Sequence, residues 1–158
     1  MTTFIAGDIF INAPPKQTLR AWDPFWDCVD ILFEFQNSDV DEEHPEWRAL
    51  WVAGIALLRT IGHVLIKSDA KVSPRHKIAI ETLWVDWKND ANVNDIFWSF
   101  IEEERNNLLK TYEFGASLMK DDEGFYVRYS NGEDAFQLFR EAVYWWRYQL
   151  NRLEVDIS

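Results

Sequence analysis

Hydrophobic positions recur at helical spacing along most of the chain. Trp22, Phe25, Trp26, Val29, Leu32 and Phe33 repeat at steps of three and four. This predicts a first helix over 18–37, with Pro24 near its first turn. Trp47, Leu50, Trp51, Gly54, Leu58, Ile61 and Leu65 form the stripe of a second helix, from near Pro45 to Lys67. Gly54 and Gly62 lower helix propensity there, so a close helix contact is expected to require them. Ser73 and Pro74 read as the N-cap and first residue of a third helix ending near Asn89. Asn94 is placed to cap a fourth helix over 95–114, with Gly115 as its C′ residue. The rhythm then breaks. Asp121 to Gly124 read as a hairpin turn, with Phe125 to Tyr129 as the second strand. Ser130 and Glu133 make a capping-box pattern before a last helix, whose stripe is Phe136, Phe139, Val143, Trp146 and Leu150.

The pattern predicts one all-α domain over 1–158. It is a bundle of four or five helices with a small β-hairpin before the last one. Residues 1–17 form an irregular arm with a short strand at 8–11, because Pro14 and Pro15 stop a helix. No repeat or interdomain linker breaks the chain.

Composition sharpens this picture. The chain has 158 residues, 47% hydrophobic and 27% charged, with nine Trp and eleven Phe. That is enough for one sizeable core, rich in aromatic packing. The net charge of -11 disfavours a broad surface for nucleic acid or anionic membrane, but not a small local basic site. It equally suits a basic protein partner. Cys28 is the single cysteine, so no internal disulfide or cysteine-based metal site can form. A reducing cytoplasmic setting is the expectation. The N-terminus does not read as a signal peptide. The longest apolar stretch, ALWVAGIALL at 49–58, is too short by itself to span a bilayer.

Candidate chemistry concentrates in IEEERNNLLKTYEFG, residues 101–115. On a uniform helical wheel Glu104 falls inside the apolar face, and Arg105 lies at its edge in line with Tyr112. Asn106 and Lys110 are i, i+4 neighbours on the other side. A buried Glu104 needs a cation or hydrogen bonds. Arg59 and His63 are the expected partners, since Arg59, His63 and Lys67 sit at i, i+4 and i+8 on the side of the second helix away from its stripe. Elsewhere, neither "DVDEEH" nor "DDE" has metal-site spacing, and no metal or cofactor is expected. Trp145 and Tyr148 fall outside the last helix's stripe, and an exposed aromatic edge there would suit a dimer interface.

The order Arg105-Asn106-x3-Lys110-x-Tyr112 resembles the signature of the HEPN superfamily (higher eukaryotes and prokaryotes nucleotide-binding). That signature is an arginine, commonly followed by a polar residue, and then a histidine. In the toxin partners of minimal nucleotidyltransferases it extends to R-x4-H-x-Y. The helical bundle is similar too. The resemblance implies a metal-independent ribonuclease whose two protomers join their signatures at a dimer interface, in a toxin–antitoxin or defence setting. It implies that Arg105 holds the scissile phosphate, Asn106 orients it, and Tyr112 matches the terminal tyrosine. Lys110 stands where the family has histidine. An ordinary lysine is a fixed cation at neutral pH and not a poised base. The resemblance therefore spans two outcomes, a ribonuclease toxin or a catalytically weakened relative that binds RNA or nucleotide. The alternative reading is a non-enzymatic, acidic, dimeric helical interaction protein.

Overall fold

A computed structural model of the chain describes residues 16–43 and 45–158. The expected strand at 8–11 and the arm up to residue 15 lie outside the described residues. Helix α1 spans Trp22–Asn37, α2 Glu46–Lys67 and α3 Pro74–Asn89. A π-helical segment, Ile96–Glu102, runs into α4, Glu103–Lys110. The antiparallel strands β1, Ala116–Asp121, and β2, Gly124–Tyr129, precede α5, Ala135–Ile157. The fold is the expected helical bundle with a hairpin before its last helix.

Helix α1 begins at Trp22, later than the periodicity suggests, because distant carboxylates take the preceding amides. Asp69 accepts from the N–H groups of Arg20 at 2.8 Å and Ala21 at 3.0 Å. Ala21 carries no capping side chain, so Asp69 supplies the cap from the short 3₁₀ turn Asp69–Lys71. Glu154 of α5 binds the Thr18 hydroxyl at 2.5 Å and the Trp22 indole at 3.3 Å.

The core is aromatic. Trp51, Trp87, Trp146, Phe25, Phe97, Phe100 and Phe139 are its largest fully buried side chains. Phe33 departs from its stripe and is 49% exposed. Trp145 is half-buried against Phe97 and Trp87, and its indole donates to Asn94 at 3.0 Å. Of the expected aromatic edge on α5, only Tyr148 stands out in solvent. The two mid-helix glycines do mark close contacts: a Cβ on Gly54 would strike the Phe139 ring, and one on Gly62 would meet Arg59 and Trp146.

Helix α2 is also exposed along part of its length. As a whole helix it is apolar and long enough to cross a membrane, although the stretch 49–58 alone is not. Ala49, Ala53 and Ala56 lie on its outer face.

Three local expectations are corrected. Asn94 does not cap the fourth helix; its amide donates back to Asp90 O at 3.0 Å while its oxygen serves Trp145. That helix ends at Lys110 and not at 114, because Tyr112 takes a left-handed backbone conformation, φ 54°. The N-cap of α5 is Asp134, which accepts from Gln137 N at 2.9 Å. Ser130 and Glu133 instead sit in the turn after β2, where Glu133 O accepts from Tyr129 N at 2.8 Å. The Ser73–Pro74 start of α3 and the Asp121–Gly124 turn are as expected.

Candidate functional site

Glu104 is fully buried, as its place on the apolar face of the helical wheel predicts. Its partners differ from expectation. The Trp51 indole donates to it at 2.8 Å, the Gly115 N–H reaches both oxygens at 3.0 Å, and the Asn107 amide lies at 3.3 Å. Neither Arg59 nor His63 bonds to it. Arg59 instead forms an ion pair with Glu102. Glu104 and Arg105 are neighbours on the regular α4 and point about 100° apart, so the residues that meet Arg105 across α2 are not those that reach Glu104. Glu104 thus ties α2, α4 and the approach to β1 together. Burial, followed by the Glu104 and Glu103 carboxylates, pushes the nearby Tyr129 phenol well above its ordinary range.

Arg59 and His63 meet Arg105 instead. All three line one pocket of about 200 Å³ between α2 and α4, walled by Val52, Ile55, Leu108 and Leu109. Arg105 and Leu109 are one turn apart on α4 and Arg59 and His63 one turn apart on α2, so each helix presents its residues from a single face. Arg105 is half-buried. Its Nη1 donates to Asn106 Oδ1 over a long 3.4 Å, and it has no ion pair among the described residues. The Arg59 side chain is 14% exposed, and its Nη1 has no hydrogen-bond partner. Its guanidinium lies 5.6 Å from the Trp84 ring and 5.8 Å from that of Phe97.

The His63 imidazole is held below its ordinary value of 6.5. Partial burial is the main cause, followed by the positive charges of Arg59 and Arg105; Glu102 opposes them and Lys67 adds to them. The imidazole is therefore neutral near pH 7. The pocket offers guanidinium donors for an anion and an unprotonated nitrogen beside them.

The rest of the sequence motif is not brought here. Lys110 is exposed and lines no part of this pocket. Tyr112 follows the end of α4 into a second groove, where its ring meets Phe114 at 5.1 Å. The motif therefore divides: Arg105 lines the α2 pocket, Asn106 only touches it through Arg105, and Tyr112 lines another groove. The convergence of Arg105 with His63 is a tertiary contact between helices. The i, i+4 spacing of Arg59 and His63 was its only trace in the sequence. The roles of Trp51 and Gly115 as donors to Glu104 left no comparable signal. Among the described residues no group of three or more His, Cys, Asp or Glu is placed to hold a metal ion.

Comparison with known proteins finds no family model, no curated protein and no solved structure that matches the chain.

Proposed function

We propose that this chain is a HEPN-like helical protein that binds RNA through a phosphate held in the pocket between α2 and α4, and that it cleaves RNA without a metal. The observation that carries this reading is the convergence of Arg59, His63 and Arg105 in that pocket. Arg105, with no acid paired to it among the described residues, is the main phosphate ligand. Asn106, in hydrogen-bond contact with it, steadies the guanidinium. Arg59 is partly neutralised by Glu102 and contributes its second nitrogen. His63 takes the role that histidine has in the HEPN signature, where this chain carries Lys110. As a neutral imidazole it accepts the proton of the attacking 2′-hydroxyl. The 2′-oxygen then forms a bond to phosphorus and the bond to the 5′-oxygen breaks, the leaving oxygen taking a proton from water, giving a cyclic phosphate and a free 5′-hydroxyl. Arg105 stabilises the added charge on the phosphate in the transition state.

The reading includes a homodimer. Ala49, Ala53 and Ala56 face outward on α2, and Leu109 is 69% exposed at the pocket's rim. Small residues let a second copy approach closely enough to close the pocket and exclude water.

The test is incubation of purified protein with single-stranded RNA in chelator, comparing wild type with Arg105→Ala, His63→Ala and Lys110→His. Wild-type cleavage that is lost in the first two variants is the expected result. Binding without cleavage, with activity appearing only in Lys110→His, would mean a catalytically weakened relative. Absence of both binding and cleavage would favour the second reading, an acidic helical interaction protein. The net charge of -11 is the observation on that side.

A further inference from the structure

A second surface lies where the chain leaves α4 and enters the hairpin. Among the described residues the sheet has two strands. The far side of β2 is met at its end, where Tyr129 N donates to Glu133 O at 2.8 Å and Arg128 bridges Asp134. Among the described residues no backbone group pairs with the outer edge of β1. Free edges present unpaired N–H and C=O groups that an extended chain can join.

A groove of about 360 Å³ runs beside that edge. Three consecutive β1 residues, Ala116, Ser117 and Leu118, border it, so the strand backbone itself forms one wall. Trp47, Tyr112 and Phe114 supply an aromatic wall. Tyr112 is 56% exposed and is held there by its left-handed backbone, a conformation a bulky residue adopts only under constraint. The groove already seats one guanidinium: that of Arg48 lies 4.2 Å from the Phe114 ring centre and 5.8 Å from that of Trp47. Asp41 and Glu42 line the groove, and Glu43 and Glu46 lie close to them in sequence. Acids outnumber the single lining cation, which favours a positively charged occupant and opposes a nucleic acid.

We infer that this groove docks an extended basic segment of a partner protein. The segment adds a third strand to β1 and lays an arginine or lysine against the exposed Tyr112 ring and Glu42. Main-chain pairing gives affinity, while the cation–π contact and the acids select for positive side chains. The surface is separate from the phosphate pocket: no residue lines both.

The probe is a short synthetic peptide alternating arginine and valine, with a version carrying glutamate for arginine as control. Affinity is read by fluorescence anisotropy, and the site by amide hydrogen exchange at Ser117 to Lys120. Slowed exchange at these amides with the basic peptide is expected, with no binding of the acidic one. Glu42→Lys and Tyr112→Ala, each checked for an unchanged circular dichroism spectrum, should weaken binding by about tenfold. Arg105→Ala should leave it unchanged. The proposal is overturned by unaltered β1 exchange at millimolar peptide, or by equal binding of the two peptides. It is also overturned if β1 becomes protected with protein concentration alone, which would place a second copy on the edge.

Discussion

The indole N–H of Trp51 donates to the buried carboxylate of Glu104 at 2.8 Å, joining the middle of α2 to α4. The same carboxylate receives the Gly115 amide at 3.0 Å, so one side chain fixes both the helix contact and the start of the hairpin. Glu104→Ala removes the acceptor shared by the Trp51, Gly115 and Asn107 donors and opens a cavity. It should destabilise the fold by about 3 kcal/mol. Glu104→Gln keeps one acceptor oxygen but turns an NH₂ toward the donors, so its cost should be smaller. Urea unfolding of the three proteins checks the order, and an alanine variant as stable as wild type would contradict the tie.

Gly115 was expected to end a helix in a left-handed conformation. Its observed role is close approach: an added Cβ would press into the buried Tyr129 ring and lie 3.2 Å from Glu104 Oε1. That ring is 3% exposed and has little room to move. Gly115→Ala should therefore cost about 1–3 kcal/mol through overpacking. Gly124→Ala tests the opposite situation, where nothing lies nearby but φ is 124°. Its penalty is strain confined to the hairpin turn. Thermal unfolding should show the Gly115 variant losing the Trp51–Glu104 geometry, seen as a changed near-ultraviolet spectrum, while the Gly124 variant retains it.

The division of the motif predicts a division of its mutants. Arg105→Ala should weaken RNA binding by about tenfold or more, as expected for loss of a charge-assisted phosphate contact. Tyr112→Ala should leave RNA binding nearly unchanged, since Tyr112 lies in the other groove. Lys110→Ala should reduce binding only slightly and in a salt-dependent way, because its exposed charge acts through solvent. A filter-binding series at two salt concentrations separates these cases.

His63 gives a pH dependence of known sign. Its folded value lies below 6.5, so the unfolded chain binds a proton first as pH falls. The folded state therefore loses some stability between pH 6.5 and that lower value, and the His63 contribution is flat above 6.5. The imidazole is largely exposed, so this slope is small. Anion binding runs the other way. Protonation adds a cation to the pocket, so phosphate affinity should rise as pH falls through the same range. Cleavage, which needs the neutral imidazole, should decline there. His63→Ala should flatten both profiles.

The helices and hairpin were legible because their signals are local. Ser73–Pro74 starts α3 by its own backbone chemistry, and the stripe through Trp51 and Leu58 reports the buried face of α2. Burial of Glu104 was legible from its neighbours on the same helix. Its partners were not, because an indole on another helix and a backbone amide beyond the end of α4 leave no mark in the pattern of α4 itself. Asp69 capping α1 was equally hidden, since a cap from far along the chain has no sequence signature. At the candidate site, Arg59, His63 and Arg105 could each be singled out, but their common pocket depends on how α2 crosses α4. The turn at Tyr112, which carries it into another groove, looked like the continuation of a helix.

The most direct measurement is the titration of the His63 imidazole by NMR, with and without a short RNA bearing a non-cleavable 2′-deoxy linkage. A phosphate seated between Arg105 and Arg59 should raise the His63 pKa on binding, and Arg105→Ala should abolish that rise. A His63 titration that the RNA leaves unmoved at saturation would contradict a phosphate site in this pocket.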